Sequence, residues 1–192
     1  MKTTTIGFAI TGSFCTLSTI IDVIKNLIKE EKYKIIPIFS FNVASQDTRF
    51  FKAEDFKNEI KKITDYEPVN SLQAAEPLGP SGVIDVMVVA PCTGNTLAKL
   101  ANGITDTPVT MAVKSQLRNN NPVVLAISTN DGLGLNLKNI GILLASKNIY
   151  FVPFGQDNPE GKPNSLASDY SLIGKTIKEA KNGHQLQPII QY

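Results

Sequence analysis

The chain has 192 residues, 42% of them hydrophobic, with 19 basic against 17 acidic side chains and a net charge of +2. That is enough apolar content for the core of one ordinary domain, and the near balance of charge removes the electrostatic case for nucleic acid or an anionic membrane surface. No apolar run reaches the roughly 18 residues a membrane span needs, and the N-terminal MKTTTIGFAITG reads as a strand rather than a secretory signal.

TTIGFAIT (4–11) is the first predicted strand. Leu17, Ile20, Ile21, Ile24, Leu27 and Ile28 then recur at helical spacing, with Asp22, Lys25, Asn26 and Lys29 on the other face. KIIPIFS (34–40) is the second strand, and Pro37, which lacks an N–H, predicts an edge position. A helix is expected over 51–64, then a loop or short helix over 67–82. IDVMVVA (84–90) is apolar almost throughout, as suits a parallel strand buried on both faces.

Helices follow over 96–104 and 107–120, the latter with Pro108 in its first turn. PVVLAIST (122–129) is the fourth strand, 135–147 a helix and IYFVPF (149–154) the fifth strand. An exposed loop (156–165) leads to a closing helix (165–183) that ends at Gly183, with a tail from about residue 184. Strands alternate with helices throughout. The expected fold is α/β: one doubly wound, Rossmann-like domain over 1–192, its parallel sheet covered by helices on both faces.

In such folds ligands bind beyond the carboxyl ends of the strands, where the strand order reverses. The first strand ends in Thr11, Gly12 and Ser13, followed by Phe14, Cys15 and Thr16. Gly12 allows close backbone approach, Ser13 or Thr16 can cap the helix, and a helix start suits a phosphate. No G-x-G-x-x-G is present, and the second strand ends Phe39-Ser40-Phe41-Asn42 without the acid a nicotinamide dinucleotide calls for. Ser40 suits another phosphate contact.

The third strand runs into APCTGNT (90–96). There Pro91 stiffens the turn, Gly94 lets backbone approach a ligand, Asn95 both donates and accepts, and Thr96 can cap the next helix. The fourth strand ends Ser128-Thr129-Asn130-Asp131 before Gly132-Leu133-Gly134, a weak glycine-rich motif. Each stretch also fits an ordinary strand-to-helix turn; three strand ends of one character point to a ligand. Cys15 and Cys92 lie far apart with no metal-ligand spacing and read as reduced thiols of a cytoplasmic protein, Cys92 as a packed one, with a disulfide as the alternative. No metal site is expected.

TGS after the first strand and APCTGNTLAKLANGITD after the third resemble the flavoprotein fold of the homo-oligomeric flavin-containing cysteine decarboxylases. Phosphopantothenoylcysteine decarboxylases and flavin prenyltransferases are relatives. The resemblance implies FMN bound between subunits of a trimer or multiple of trimers. Gly12 and Ser13 would hold its phosphate with Ser40 beside it, and Thr93, Gly94, Asn95 and Thr96 would face the ribityl chain or ring. Lys114 and Ser115 would add contacts from the helix before the fourth strand.

STNDGLGLN and YFVPFGQDNP carry a narrower resemblance within that family. It is to one component of a two-component enzyme, whose separate companion binds a nicotinamide cofactor; together they oxidise a dihydro-type precursor to pyridine-2,6-dicarboxylate in spore-forming bacteria. That implies an oxidoreductase component, active only with its companion, in the mother-cell cytoplasm, with Asn95 the candidate for orienting flavin and substrate. Lys114 and Arg118 are then candidate cations for the dianion. The alternatives are a scaffolding component of the same complex, or a decarboxylase or prenyltransferase relative. Against the decarboxylases, whose base is a His, this chain has one His, His184, in the tail stretch KNGHQLQP. No Arg cluster suggests a prenyl-phosphate site.

Overall fold

β1 (Thr5–Ile10) and β3 (Val86–Cys92) are buried at every residue in the computed structural model, which describes residues 3–191. They lie at the centre of a parallel array with β2 (Lys34–Phe39), β4 (Val123–Thr129) and β5 (Ile149–Phe151), in the order β2-β1-β3-β4-β5. Strand order reverses between β1 and β3. Pro37 sits on the terminal strand: its carbonyl accepts from Val69 N–H on the outer edge at 2.9 Å, so the missing donor faces that edge rather than β1.

Side-chain alternation sends each strand's residues to two cores. Ile6, Phe8 and Ile10 pack with α1 (Leu17–Lys29), α3 (Ala53–Thr64) and α9 (Ile173–Lys181) through Ile20, Ile24, Phe56, Ile60 and Ile177. Ala9, Met87, Val89 and Cys92 pack on the other face. There the partners are Leu97 of α6 (Gly94–Ala101), Val109 and Val113 of α7 (Pro108–Arg118), and Ile140 of α8 (Asn136–Leu144). Both faces are covered, as the apolar strands require. Each fully buried Ile, Leu or Phe contributes about 1.5–3 kcal/mol, more than the helical propensity of any one turn. Phe56 adds ring contacts to Phe39 and Phe51, at 5.5 and 5.4 Å between centroids.

Short helices α2 (Phe41–Ser45), α4 (Leu72–Ala75) and α5 (Leu78–Ser81) fill connections, the last two within the stretch read as a loop or short helix. Two expectations fail at the other end of the sheet. The fifth strand stops at Phe151, and Phe154–Gly155 forms a separate strand, β6. Residues 166–168, expected to be helical, form β7 (Leu166–Ser168), and the closing helix begins only at Ile173.

The reason is the outer edge of β4. β5 pairs with Val123–Leu125, leaving the carboxyl half of β4 to β7, which pairs antiparallel through Ser128 and Thr129. Ser168 Oγ bridges the changeover, accepting from Ile127 N–H at 2.8 Å and donating to the Val152 carbonyl at 3.2 Å. The parallel sheet thus carries a small antiparallel extension, β6 pairing with β7. The tail is docked as well: Gln185 bonds both backbone groups of Phe151 at 2.7 Å, and Phe154 N–H donates to the Ile189 carbonyl.

Cys15 is exposed and Cys92 fully buried in β3, where burial pushes its thiol far above the ordinary range. Titration with a chromogenic disulfide reagent should label Cys15 alone in the native protein, and both cysteines only after addition of denaturant.

Candidate functional site

Thr11, the last residue before the turn out of β1, is 1% exposed. Its hydroxyl donates to the Pro91 carbonyl at 2.7 Å and accepts from the Thr93 backbone N–H at 3.2 Å. One side chain therefore joins the ends of the two strands at which the order reverses. Pairing between β3 and β4 is irregular here, passing from Val89 to Cys92, and the Ala90–Pro91 peptide is cis. Two residues on, Ser13 Oγ shares a 2.8 Å hydrogen bond with Ser128 Oγ at the end of β4. The three strand ends are thus fixed to one another by hydroxyl groups.

They enclose a cleft of about 660 Å³, within the roughly 300–1,000 Å³ of small-molecule sites. Gly12, Ser13, Thr93, Gly94 and Asn95 line it, with Ser128–Asp131 of the fourth strand end. A smaller cavity of about 150 Å³ adjoins it through the shared residues Gly12, Thr93 and Asn95, and adds Ser40 and Thr96. Ser13 and Ser40, the expected phosphate partners, thus line different cavities. Ser40 caps α2, its Oγ accepting from Val43 N–H at 3.4 Å.

Lys114 and Ser115 do not join this group. Lys114 lines a separate apolar cavity with Arg118 and Ile104 on the outer side of α7. Ser115 is buried beneath α5, so close that a Cβ on Gly79 would stand 2.6 Å from its own Cβ. Neither Lys114 nor Arg118 lines the main cleft.

The capping expectations also change. Neither Ser13 nor Thr16 caps by its side chain, and Thr16 Oγ1 instead donates to the Ser13 carbonyl at 2.8 Å. Thr96 lies inside α6, where its hydroxyl meets that of Thr93 at 3.1 Å. Asn95 is exposed and its side chain makes no hydrogen bond among the described residues, so its carboxamide is free for a ligand.

Gly94 serves the protein itself. A Cβ there would fall 2.5 Å from Asn136 Nδ2, 2.6 Å from Thr129 Oγ1 and 2.8 Å from Asp131 Oδ1. Asp131 is held by Thr129 Oγ1 at 2.5 Å and by Asn136 Nδ2 at 2.9 and 2.8 Å to its two oxygens. The Thr129 hydroxyl, with Asn136 behind it, holds the carboxyl below its ordinary value of 3.8 despite some burial. The start of α6 thus packs against a fixed carboxylate, the charge its dipole favours.

Sequence reasoning missed the far wall. Arg49 and Phe50 come from the connection between α2 and α3, and Asp157, Lys162 and Tyr170 from the segment around β7. The Tyr170 hydroxyl is buried with no hydrogen-bond partner among the described residues. Burial raises its pKa, and the neighbouring Ser128 and Thr16 hydroxyls pull the other way. No local motif marks these residues; the nearest signal was the exposed loop after the fifth strand. His184 is 72% exposed, beside Glu179 at the end of α9, and does not line the cleft.

The donor set fits FMN: small residues at Gly12 and Thr93, hydroxyls for a phosphate and ribityl chain, and the unpartnered Asn95 and Tyr170 groups. No cluster of three His, Cys, Asp or Glu able to hold a metal ion occurs among the described residues, and no helix there is long and apolar enough to cross a membrane.

Known proteins share this arrangement. The family model described as Flavoprotein matches residues 1–168. The second of the two dipicolinate synthase subunits of Bacillus subtilis is 48% identical over 190 residues, 99% of this chain and 94% of that protein. The crystal structure of the same dipicolinate synthase component from Bacillus halodurans superposes with a TM-score of 0.90 at 46% identity, covering 98% of this chain and 96% of that one. A dodecameric FMN-dependent decarboxylase of Escherichia coli shares the fold, with a TM-score of 0.62 at 22% identity over 78% of this chain and 79% of its own.

Thr11→Val keeps the shape and leaves the Pro91 carbonyl and Thr93 N–H unpaired, so urea unfolding should show a loss of about 1–3 kcal/mol. Asp131 should make stability acid-sensitive. Because its folded pKa is lowered, its contribution is full above the unfolded value near 3.8 and is lost as pH falls through the lower folded value. Asp131→Asn should flatten that acid limb in melting curves taken from about pH 5 down to about pH 2.5.

Proposed function

Since the chain belongs to the flavoprotein family, we propose that it is the FMN-binding second component of a dipicolinate synthase, acting with that enzyme's first component to oxidise a dihydrodipicolinate-type precursor to pyridine-2,6-dicarboxylate. The observation that carries this reading is the cleft at the reversal of strand order, with the Asn95 carboxamide free on its wall. The 48% identity to the corresponding dipicolinate synthase component supports the same role, which belongs to sporulation and the mother-cell cytoplasm.

On this reading Gly12, Ser13 and Ser40 hold the phosphate end, Gly12 by giving backbone access and the serines by their hydroxyls. Thr93, Gly94, Asn95 and Thr96 line the ribityl chain and ring. When bound, FMN supplies a two-electron acceptor for the hydride that the precursor ring loses, with a proton, as it becomes aromatic. The chain's own part is to orient and to exclude water. Asn95 can donate and accept at once, which fixes a heteroaromatic ring in its own plane. The buried Tyr170 hydroxyl offers a donor at the cleft wall. Thr11, by holding β1 to β3, fixes the spacing between Gly12 and Asn95.

A decarboxylase reading is less well supported. The only His in the sequence is His184, which is exposed and outside the cleft, so the base those relatives use has no counterpart there. Self-association is part of the proposal. Leu135, Leu137, Ile142 and Leu144 are 82, 50, 49 and 41% exposed on and beside α8, an apolar surface of the kind subunits cover. The dodecameric relative supports the same expectation.

The purified protein, given FMN and freed of excess, should show a bound-flavin absorption spectrum. A Cβ at Gly12 meets only the Phe14 ring at 3.4 Å and Asn42 at 3.8 Å, so Gly12→Val should fold and yet lose the flavin. Asn95→Ala should weaken FMN binding about tenfold, the value of one or two lost hydrogen bonds. If a flavin-free Asn95→Ala chain instead restored full synthase activity to the first component, the protein would be a scaffold.

A further inference from the structure

We infer that Arg49 and Lys162 are the carboxylate-reading cations of the cleft, and that they make it selective for a small planar dicarboxylate over the corresponding monocarboxylate. The inference rests on the proposed function for the identity of the ligand, and on the cleft itself for the charges. Lys114 and Arg118 stand on a different cavity, so these two are the cationic side chains that line this one among the described residues.

Their origins matter. Arg49 comes from the connection after β2, at one end of the strand order, and Lys162 from the β6–β7 connection at the other. The two loops bring positive charge to one cavity from opposite ends of the sheet. Neither cation forms an ion pair among the described residues. Other lysines are used internally, as Lys99 is by Asp106 and Lys178 by Glu31, at 2.7 Å each.

The Arg49 guanidinium lies over the Phe50 ring at 4.8 Å from its centroid. Stacking occupies the face of the guanidinium and leaves its in-plane N–H groups free, the edge that meets a carboxylate. Phe50, Phe14 and Tyr170 also line the cleft and give a flat ring apolar surface.

Two carboxylates share the wall and act in opposite senses. Asp131 is occupied by Thr129 and Asn136 and faces the start of α6, so it is already compensated. Asp157 is exposed, on the same loop as Lys162, and makes no ion pair among the described residues. It opposes a dianion. Removing it should therefore tighten binding, a sign that no loss of folding would produce.

The test is calorimetric titration of pyridine-2,6-dicarboxylate and pyridine-2-carboxylate into the wild-type chain and the Arg49→Gln, Lys162→Gln and Asp157→Asn variants, in metal-free buffer. FMN and riboflavin retention are measured in parallel. Arg49→Gln and Lys162→Gln should each weaken the dicarboxylate about tenfold or more, bring it toward the monocarboxylate, and leave FMN retention unchanged. Asp157→Asn should strengthen it severalfold.

Unchanged dicarboxylate affinity in both cation variants overturns the inference, as does a wild-type chain that retains FMN and binds no dicarboxylate. If Arg49→Gln weakens FMN and spares riboflavin, Arg49 reads the flavin phosphate and the inference also fails. A chain that retains no FMN but still binds the dicarboxylate through both cations upholds the inference and refutes the cofactor reading.

Discussion

The site depends on one hydroxyl group. Thr11 is the buried residue that ends the first strand, and with its single proton and lone pairs it satisfies a carbonyl at Pro91 and an N–H at Thr93. Both partners lie where β3 leaves its regular pairing with β4, so they need a bond from elsewhere. A ligand cleft at a reversal of strand order is a gap between diverging connections, and nothing in the sheet ladder sets its width. Thr11 sets it on one side, and the Ser13–Ser128 pair on the other. Gly12, between them, is free to present backbone to both cavities.

A second constraint lies behind the first. The start of α6 carries Asn95 into the cleft, and its position is fixed by the absence of a side chain at Gly94 and by the Asp131 carboxylate. Asp131 is kept ionised by Thr129 and Asn136, and Asn136 is held by Asn139, whose Nδ2 donates to Asn136 Oδ1 at 2.8 Å. A short polar chain inside α8 thus reaches the wall. Its energy goes into orienting a helix start.

The strands and their order of burial were legible because apolar runs alternating with helical periodicity admit few arrangements. Gly12, Ser13 and Asn95 were legible for a related reason: the fold class says where ligands bind, and those residues follow the strands. The strand at Leu166–Ser168 was not. Its sequence is compatible with a helix start, and it is extended only because β5 stops short and leaves the carboxyl half of β4 without a partner. Thr96 was misread by two residues because α6 begins at Gly94, and Ser115 because helical position alone does not say that α5 covers it. Arg49, Lys162 and Tyr170 come from segments far apart in the chain, and only tertiary closure brings them together.

That division suggests how one fold serves several chemistries. The half of the cleft built by β1, β3 and α6 is made of hydroxyls, glycines and an amide, groups without net charge that suit a cofactor's backbone-like contacts. The half built by the connections after β2 and around β7 carries the cleft's cations, its aromatic rings apart from Phe14, and the exposed Asp157. Charge selects ligands more sharply than apolar area, because a misplaced carboxylate costs more than a lost methyl contact. Change of substrate is then a matter of two loops, while the strand ends, bound to one another through Thr11 and Ser13, stay as they are. The antiparallel extension has the same meaning: by giving β4 a partner past Leu125 it anchors the second loop at Leu166–Ser168, so that the segment bearing Lys162 is held against the cofactor half rather than left as a free excursion.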